Sequence, residues 1–432
     1  MFASTYPDHV RTVTARVQEA LDQGDWDGVV FASGGMQLKT RFDDQDWPFQ
    51  PLPFFRWFAP LSWPGAAVVL RSGGAPVLHA RAEDSFWEAP PPADWSLIES
   101  GIEVSTEDFK LGPGKWAIIG EDDEISGGQR NPNMLIQQLE DERTVKTPHE
   151  LLAMQQASSI AAMGHRAAAK DFLEGDRSEL SIHLTYLKAT GQDDHETPYK
   201  NIVALGRHAA TLHHISYGTM PDARSMLIDA GAMSVGYCSD VTRTHVHEDG
   251  SEDAALFARL VREMDDLQQE IVSSVQVGMN YEALHDLAHV LLGQLLHRLE
   301  LVTVSAEAAN GQGVTRALFP HGLGHSIGVT THDVGCLRKR PAPENPFLRN
   351  TRNIEPGQVF TIEPGCYFVP GLLDKVRANT PGALNEPMIR ALEPFGGVRI
   401  EDNVLVLHPE EADERGSPVR NLTREAFAEL NH

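Results

Sequence analysis

Residues 227–244 read "LIDAGAMSVGYCSDVTRT". This stretch is the most informative part of the sequence, because it places two acids in two short, β-rich runs joined by a turn signal. If "MSVG" at 233–236 reverses the chain, Asp229 pairs directly with Asp240, with their Cβ atoms about 5 Å apart on one face. Two ionised carboxylates that close repel each other, unless a cation lies between them or one of them takes up a proton. The pair therefore indicates a metal site. The alternative is a buried Asp that accepts backbone hydrogen bonds near a turn.

A second motif lies at residues 319–335, which read "FPHGLGHSIGVTTHDVG" and interleave histidines with glycines. Glycine lets the backbone bend closely around a site, and histidine supplies a nitrogen ligand that divalent metals accept. The pattern favours a metal-binding loop, and a surface loop rich in histidine is the alternative. The histidines concerned are His321, His325 and His332.

Two further acids lie in apolar strand patterns. In "VFTIEPGCYF" (359–368), the two-residue period directs Glu363 away from the apolar side, just before a Pro-Gly turn. In "GGVRIEDNVLVL" (396–407), Arg399 and Glu401 share one face of a strand. An acid in so apolar a strand needs a partner. That partner is either a metal or, in the simpler interpretation, Arg399.

Composition limits the function classes. The chain has 432 residues, enough for two domains, and its 36 Lys and Arg against 61 Asp and Glu give a net charge of -25. So acidic a protein repels phosphate backbones and anionic bilayers, which argues against nucleic acid and membrane partners. We see no secretory signal and no apolar run near the roughly 20 residues of a membrane span. A reducing cytoplasm fits the three widely spaced cysteines, Cys238, Cys336 and Cys366.

The N-terminal part, residues 1–146, alternates helical and strand signals and predicts a small α/β domain. Apolar runs such as "GVVFAS" (28–33) and "AAVVLRS" (66–72) are typical of strands. The aromatic, proline-dense stretch 47–63 is too irregular for a regular element. It is interpreted as a loop packed on its own domain, or else as a subunit interface or pocket wall.

A second domain is predicted over residues 147–432. Thr147 can cap a helix, Pro148 suits the first helical position, and Glu150 completes a capping box. The pattern then predicts strands around 200–245, helices at about 252–276 and 281–300, and glycine-punctuated strands to about 408.

Together these motifs supply four carboxylates and one imidazole, each from a different strand or glycine loop. Four carboxylates neutralise two divalent cations, and a thiolate-free, oxygen-rich set suits Mn²⁺, Co²⁺ or Zn²⁺. Two such metals about 3.5 to 4 Å apart can share one water and present it as hydroxide to a carbonyl or phosphoryl centre, so hydrolysis is the expected reaction class. The set comprises Asp229, Asp240, His325, Glu363 and Glu401.

The motif order "LIDAGA…SDVTRT", "HGLGHSIGVTTHD", "IEPGQVFTIEPG" and "GGVRIEDN" resembles the pita-bread metallopeptidases, which include methionine aminopeptidase, aminopeptidase P and prolidase. The segments "FDDQDWPF", "TPYKNIVALGRHAATLHH" and "LEPFGGVRIEDNVLV" are most similar to the bacterial prolidase group, which also includes the organophosphorus acid anhydrolases. The resemblance covers essentially the whole chain. It implies an α+β protein with a C-terminal pita-bread (creatinase/aminopeptidase-like) domain and a smaller N-terminal α/β domain.

The resemblance also implies an activity, the binuclear metal-dependent hydrolysis of Xaa-Pro dipeptides by a metal-bridging hydroxide, with Mn²⁺ as the expected metal. Asp229 would chelate one ion, Asp240 and Glu401 would bridge both, and His325 and Glu363 would complete the other.

The resemblance assigns roles to further residues. Glu363 would also transfer the proton of the attacking water, and two histidines would polarise the scissile carbonyl or steady the oxyanion. A clamp would hold the prolyl carboxylate, which explains a preference for dipeptides. The family is typically dimeric, and first-domain residues would close the neighbouring subunit's site. These residues are His213 and His332 for the carbonyl, His321 and Arg399 for the clamp, Tyr199 for the pocket wall, and Asp43 or Asp44 with Trp87 for the closure.

The sequence departs from the family pattern at three positions near the expected pocket. His214 stands where tyrosine normally follows the motif histidine, Lys200 replaces a usual glycine, and Cys366 follows the Glu363 turn. These differences affect the expected substrate preference and leave the metal set complete.

Three other activities compete with this prediction. Aminopeptidase P-like cleavage of longer Xaa-Pro peptides is one, and organophosphate hydrolysis as a side activity is another. A metal-free binding member of the fold is the third, and the complete set of five ligands argues against it.

Overall fold

The computed structural model describes residues 2–81, 89–121, 125–175 and 177–430. The chain divides into two units, each with its own core. The first comprises Met1–Ala153 and Ser234–Tyr237, and the second comprises Met154–Met233 and Cys238–His432. The domain boundary placed between residues 146 and 147 by the sequence stays a prediction.

The first unit is built on a mixed sheet of six strands in the order β4-β3-β2-β1-β5-β6. β1 pairs antiparallel with β2 and parallel with β5, and the strands read from the apolar runs at 28–33 and 66–72 are confirmed. Its elements are α1 (Phe2–Gln23), β1 (Gly28–Ala32), α2 (Pro53–Phe58), β2 (Ala67–Arg71), β3 (Val77–His79), α3 (Trp95–Glu99), β4 (Glu103–Ser105), β5 (Trp116–Ile119), β6 (Gln129–Arg130) and α4 (Asn133–Glu142).

The aromatic stretch 47–63 is more regular than its sequence indicates, since it contains the helix α2. Phe55, Trp57 and Phe58 of this helix are fully buried in the core of the first unit. The interpretation as a packed segment is therefore right for the helix, and the expectation of irregular structure is wrong. A proline at the first helical position and three clustered aromatic side chains favour this single buried turn. Trp47, by contrast, is 58% exposed.

A capping box begins the long helix α5 (Pro148–Glu174) as predicted. The Thr147 backbone N–H donates to the Glu150 carboxylate at 2.7 Å, and the Glu150 N–H donates to the Thr147 hydroxyl at 3.4 Å. The reciprocal bonds satisfy two N–H groups that the helix itself leaves without partners.

After α5 the second unit contains α6 (Glu179–Thr190), β7 (Ile202–Leu205), a 3₁₀ turn (Gly206–Ala210), β8 (Ser225–Asp229), β11 (Thr242–Val246), α7 (Glu252–Ser273), α8 (Tyr281–Arg298), α9 (Ala306–Gly311), α10 (Val314–Leu318), β12 (Val359–Ile362), β13 (Gly365–Tyr367), α11 (Pro370–Asn379), α12 (Glu386–Leu392), a 3₁₀ turn (Glu393–Phe395), β14 (Gly397–Arg399), β15 (Asp402–Val406), α13 (Pro409–Arg415), β16 (Val419–Asn421) and α14 (Leu422–Glu429). The short strands β9 (Met233–Ser234) and β10 (Tyr237–Cys238) each include a residue of either unit. The strands of the second unit form two three-stranded sheets, β11-β8-β7 and β12-β15-β16, and the pair β13-β14.

Helices α7 and α8 confirm the two predicted helical stretches and pack with the strands in the largest core of the second unit. The expectation that the chain after residue 300 consists of strands alone is wrong, because α9 to α12 interrupt it. These helices have five to ten residues, too short for a sequence period to establish. In the part of the chain that the structure describes, no helix has the length and apolarity needed to cross a membrane.

Candidate metal centre and active site

The two acids of the opening stretch lie close together, Asp229 at the end of β8 and Asp240 two residues before β11, but the strand register differs from the prediction. Asp229 pairs with Thr242 across β8 and β11, two residues from the expected partner, Asp240. The reason is the turn, which centres on Val235 and Gly236 with φ of 48° and 84°. A β-branched residue rarely adopts positive φ, so the sequence favours a reversal one residue earlier. Because side chains alternate with a period of two, a shift of two residues leaves both acids on the same face.

The five side chains predicted as metal ligands lie together. Asp240, His325 and Glu401 each offer a ligand atom within 4.8 Å of the others. His325 Nε2 lies 3.4 Å from Asp240 Oδ2 and 3.7 Å from Glu363 Oε1. Asp229 joins the group through Tyr199, whose hydroxyl oxygen lies 2.7 Å from Asp229 Oδ1 and 2.5 Å from Asp240 Oδ1 and shares its one proton between them.

Backbone pairing fixes the positions from which these side chains extend. Asp229 ends β8, Glu363 follows β12, and Glu401 precedes β15. Glu401 also forms a bridge with Thr242, where its N–H donates to the Thr242 carbonyl at 3.1 Å. The histidine loop is attached in the same way, since the His325 N–H donates to the Thr361 hydroxyl at 3.1 Å and the His325 carbonyl accepts the Thr361 N–H at 2.9 Å.

The acids carry a strong electrostatic conflict. Burial, followed by the charges of Asp229 and Asp240 respectively, raises the pKa of Asp240 and of Glu401 well above the usual range. Burial and the charge of Glu401 raise the pKa of Glu363 in the same way. Charged carboxylates this close destabilise one another in a low-dielectric interior. A divalent cation among them would reverse these shifts, and oxygen-rich ligation with one imidazole suits such an ion. The residues present therefore fit a metal centre.

Arg399 and Tyr199 are bonded to the acids. The Arg399 guanidinium donates to Asp229 at 2.5 Å, to Tyr367 at 3.0 Å and to the Thr242 hydroxyl at 3.2 Å. The partner of Arg399 among the acids is thus Asp229, and the simpler interpretation of an Arg399 and Glu401 pair is wrong. Glu401 instead accepts the Thr242 hydroxyl at 2.6 Å.

The histidines predicted to contact substrate border the acids. His321 lies 2.7 Å from the Tyr367 hydroxyl and 3.6 Å from Glu363, and burial lowers its pKa to about 3. The His332 ring packs edge-on against His325 with centroids 4.4 Å apart, and burial lowers its pKa to about 3. Both rings are therefore neutral near pH 7. His213 is exposed, and its charge contributes to lowering the pKa of His321 and of His332.

The side chains at the three positions that depart from the family pattern have partners outside the set of predicted metal ligands. Lys200 binds Asp194 at 2.9 Å, and Cys366 is buried in the hydrophobic core. His214 lies 2.9 Å from Glu179. The composition of the acid cluster is unaffected by any of them.

The first-unit residues predicted to close a neighbouring site can be described only in part. Asp43 and Asp44 are exposed, between residues Leu38 and Asp46 that form a bridge. Trp87 lies outside the described residues.

The sequence analysis missed several residues that support the cluster. The Asn403 side chain donates to the Asp240 carbonyl at 2.7 Å and accepts the Asp240 N–H at 3.2 Å. Arg243 donates to the carbonyls of Thr242 and Glu401, both at 2.8 Å. For Asn403 the signal was present, because it lies two residues after the predicted ligand Glu401 in "RIEDN" and so has the same strand parity. Arg243 has the opposite parity to Asp240 in "SDVTRT", so alternation does not predict it.

The sequence matches two family models and several known proteins. The family model for metallopeptidase family M24 matches residues 153–408, and the model for the Xaa-Pro dipeptidase N-terminal domain matches residues 4–140. A protein named Xaa-Pro dipeptidase from Xanthomonas euvesicatoria is 39% identical over 99% of this chain and 98% of its own length. Another with that name, from Xanthomonas campestris, is 40% identical over 98% of each chain.

Solved structures share the fold at low identity. Aminopeptidase P from E. coli with the inhibitor Pro-Leu superposes with a TM-score of 0.73 at 19% identity, covering 97% of both chains. An aminopeptidase from Pseudomonas aeruginosa gives 0.71 at 19% identity, covering 97% of this chain and 96% of its own. These likenesses and the family matches confirm the predicted α+β architecture, a pita-bread C-terminal domain with a smaller N-terminal domain. The chain belongs to metallopeptidase family M24.

Proposed function

We propose that this enzyme hydrolyses Xaa-Pro dipeptides with two divalent cations, Mn²⁺ by preference, and releases the C-terminal proline. The observation that carries the proposal is the cluster of four carboxylates and one imidazole, in which the Arg399 guanidinium is bonded to Asp229. The full-length relatives named Xaa-Pro dipeptidase support the choice of substrate.

The resemblance to the family gives the ligand assignment, and the proximity of the side chains is compatible with it. Asp229, Asp240, His325, Glu363 and Glu401 would hold the two ions between them. When bound, two such ions would supply Lewis acidity that lowers the pKa of a water and polarises a carbonyl.

Glu363 is the proposed proton carrier. It lies at the edge of the cluster, 3.7 Å from His325 and 3.6 Å from His321. A carboxylate in this position can accept a proton from the attacking water and deliver it to the leaving amine of proline.

His213 and His332 are the proposed donors to the scissile carbonyl. The depressed pKa of His332 keeps this ring neutral, so that it can donate an N–H without adding charge. A neutral donor placed where charge develops stabilises the oxyanion more than the ground-state carbonyl.

His321 and Arg399 are the proposed clamp for the substrate carboxylate, beside the pocket wall at Tyr199. Arg399 has five N–H donors. Three contacts to Asp229, Tyr367 and Thr242 leave two of these donors for the substrate. A carboxylate fixed one residue from the cleaved bond excludes longer C-terminal tails.

Metal analysis with kinetics tests the proposal. Purified protein should hydrolyse an Xaa-Pro dipeptide, lose the activity on chelation and regain it with Mn²⁺, with two ions per chain. Co²⁺ and Zn²⁺ are the matched comparisons for metal preference. Failure to bind any cation would support a metal-free binding protein instead.

Substrate length separates this proposal from aminopeptidase P-like activity. Xaa-Pro should be cleaved with a higher kcat/KM than Xaa-Pro-Yaa at equal metal loading. The reverse order would assign the chain to the aminopeptidase group. An organophosphate triester, tested in the same assay, measures the predicted side activity.

Two further parts of the proposal concern assembly and compartment. We expect a homodimer in which Asp43 or Asp44 and Trp87 close the partner's site, and sedimentation measures its mass. The exposed Phe42 and Trp47 beside these acids support an interface there. A reducing cytoplasm is supported by the cysteines, all three of which are buried.

A further inference from the structure

Glu179 is a fully buried acid outside the metal cluster. It is the first residue of α6 after the Ser178 cap, and its side chain has no solvent exposure. A carboxylate suits a helix N-terminus, where N–H groups point outward. Such a buried charge still needs specific partners.

All four partners of this carboxylate come from one short segment, residues 205–218. The Leu205 N–H donates to Oε1 at 2.9 Å, and the Gly218 N–H donates to Oε2 at 2.7 Å. His208 Nδ1 lies 2.7 Å from Oε1, and His214 Nε2 lies 2.9 Å from Oε2. Two oxygens with about four lone-pair positions are thereby fully used.

These bonds hold the two ends and the middle of the segment at one point. The Glu179 N–H also donates to the Gly218 carbonyl at 2.9 Å, which ties the far end of the segment to α6. The rings of His208 and His214 stack with centroids 4.4 Å apart. Because a carboxylate only accepts, the ring atoms that face it carry the protons.

The segment carries His213, directly before His214. Leu212, on the other side of His213, packs against the cluster that contains Tyr367, the tyrosine bonded to His321 and Arg399. His213 thus lies between Leu212, which packs against this cluster, and His214, which is bonded to Glu179.

We propose that Glu179 is a positioning residue for His213, acting as a buried clamp on residues 205–218 that sets where this histidine meets the substrate. The inference rests on the proposed function for the role of His213. It also explains why His214 can stand where tyrosine is usual, since its imidazole serves as a donor to Glu179.

The same three side chains have the composition of a metal site, since Glu179, His208 and His214 offer ligand atoms within 4.8 Å of one another. The clamp accounts for them without an ion, because N–H donors occupy the acceptor positions of the carboxylate. Metal binding at this cluster is therefore an outcome that the experiment must distinguish.

A double-mutant cycle tests the inference with Mn²⁺-loaded full-length protein and an Xaa-Pro dipeptide. Glu179→Gln should lower kcat by between about tenfold and 10²-fold, the loss expected when a catalytic group is misplaced by about 1 Å. KM should change little, because the oxyanion contact forms mainly in the transition state. In a His213→Ala background the same substitution should cause no further loss. Equal losses in both backgrounds would overturn the inference.

The matched control is Glu252→Gln. Glu252 is likewise the first residue after a serine cap, Ser251 of α7, but it is exposed. This variant should retain the activity of the unmodified enzyme. Metal content should also be equal in both glutamine variants, and the loss of one bound ion on Glu179→Gln alone would assign the cluster to a metal instead.

If Glu179→Gln fails to fold, His214 variants replace it. His214→Gln keeps a side-chain N–H that can reach Glu179, whereas His214→Leu removes it. The glutamine variant should retain kcat and the leucine variant should lose part of it. Equal activity of the two variants would contradict the clamp.

Hydrogen exchange separates failure of the inference from failure of the proposed function. Glu179→Gln, or His214→Leu in its place, should speed amide exchange within 205–218 and leave β8 and β15 protected. If the unmodified protein cleaves no dipeptide but exchange rises as stated, the proposed function fails and the clamp stands. Unchanged exchange overturns the clamp in either case.

Discussion

Glu401 and Asp402 are consecutive residues, both buried, and the pKa values of their carboxylates are shifted in opposite directions. Burial and the charge of Asp240 raise the pKa of Glu401. At Asp402 burial is opposed by Arg243 and Arg424, which hold its pKa below the usual range. Arg243 donates to Asp402 at 2.6 Å and Arg424 at 2.8 Å.

The contrast separates structure from function between two adjacent residues. Asp402 has the cationic partners that a buried charge requires, so its network stabilises the fold by itself. Glu401 and Asp240 are bonded to hydroxyl groups, of Thr242 and Tyr199, and their carboxylates repel each other. A local conflict that the surrounding structure maintains marks a functional site. The cation that resolves it is part of the proposed chemistry.

The largest expected effect tests the conflicted side. Glu363→Gln should lower kcat by about 10² to 10⁴, because proton transfer is lost while the shape of the side chain is kept. Steady-state kinetics with added Mn²⁺ measures it, with metal content determined in parallel. Glu410→Gln, at an exposed position, is the control. Unchanged kcat would remove Glu363 from the mechanism.

Substitution of Asp402 should change the free energy of unfolding. Asp402→Asn should lower the free energy of unfolding by about 3 to 5 kcal/mol, because Arg243 and Arg424 lose a buried partner. In metal-free protein Glu401→Gln should cause no such loss, since it removes a charge from a repelling group. Urea unfolding of both variants makes the measurement, with the exposed Asp413→Asn as reference. Equal losses from the two substitutions would contradict the contrast.

Metal binding should reduce the difference between the two sides. Mn²⁺ at 100 times its Kd should raise the free energy of unfolding by about 2.7 kcal/mol per site. The unmodified protein should show this gain in thermal or urea unfolding, and Glu401→Gln should lose most of it. A gain of the same size in the variant would mean that the ion binds elsewhere.

Buried histidines of the first unit are a third kind of buried titratable group, because they are neutral in the folded state. Burial and the charge of His9 lower the pKa of His149 from 6.5 to about 3. The unfolded chain therefore binds a proton as the pH falls below 6.5 while the folded chain does not, so stability falls between these values. His149→Gln should flatten this acid slope of the urea midpoint. This is the smallest effect, and an unchanged slope would exclude His149 as its source.

The fold class predicted from the sequence is confirmed, whereas the roles of the site residues stay predictions. Alternation and turn residues place Asp229, Glu363 and Glu401 at strand ends, where short-range rules suffice. The turn at Val235 was displaced by one residue, because tertiary packing imposes a positive φ that propensity disfavours.

Other features depend on contacts that no local pattern contains. The helices α9 to α12 are shorter than the window in which a period can be read. The clamp at Glu179 joins residues more than 25 positions apart, which a single sequence cannot pair.

The placement of the ligands at the ends of strand ladders has an evolutionary consequence. Backbone hydrogen bonds, such as the one from Glu401 N–H to Thr242, do not depend on which side chain follows. A single substitution at a ligand position can therefore remove the metal site and leave the backbone pairing intact. Relatives that keep this fold without catalytic activity can arise in this way during evolution.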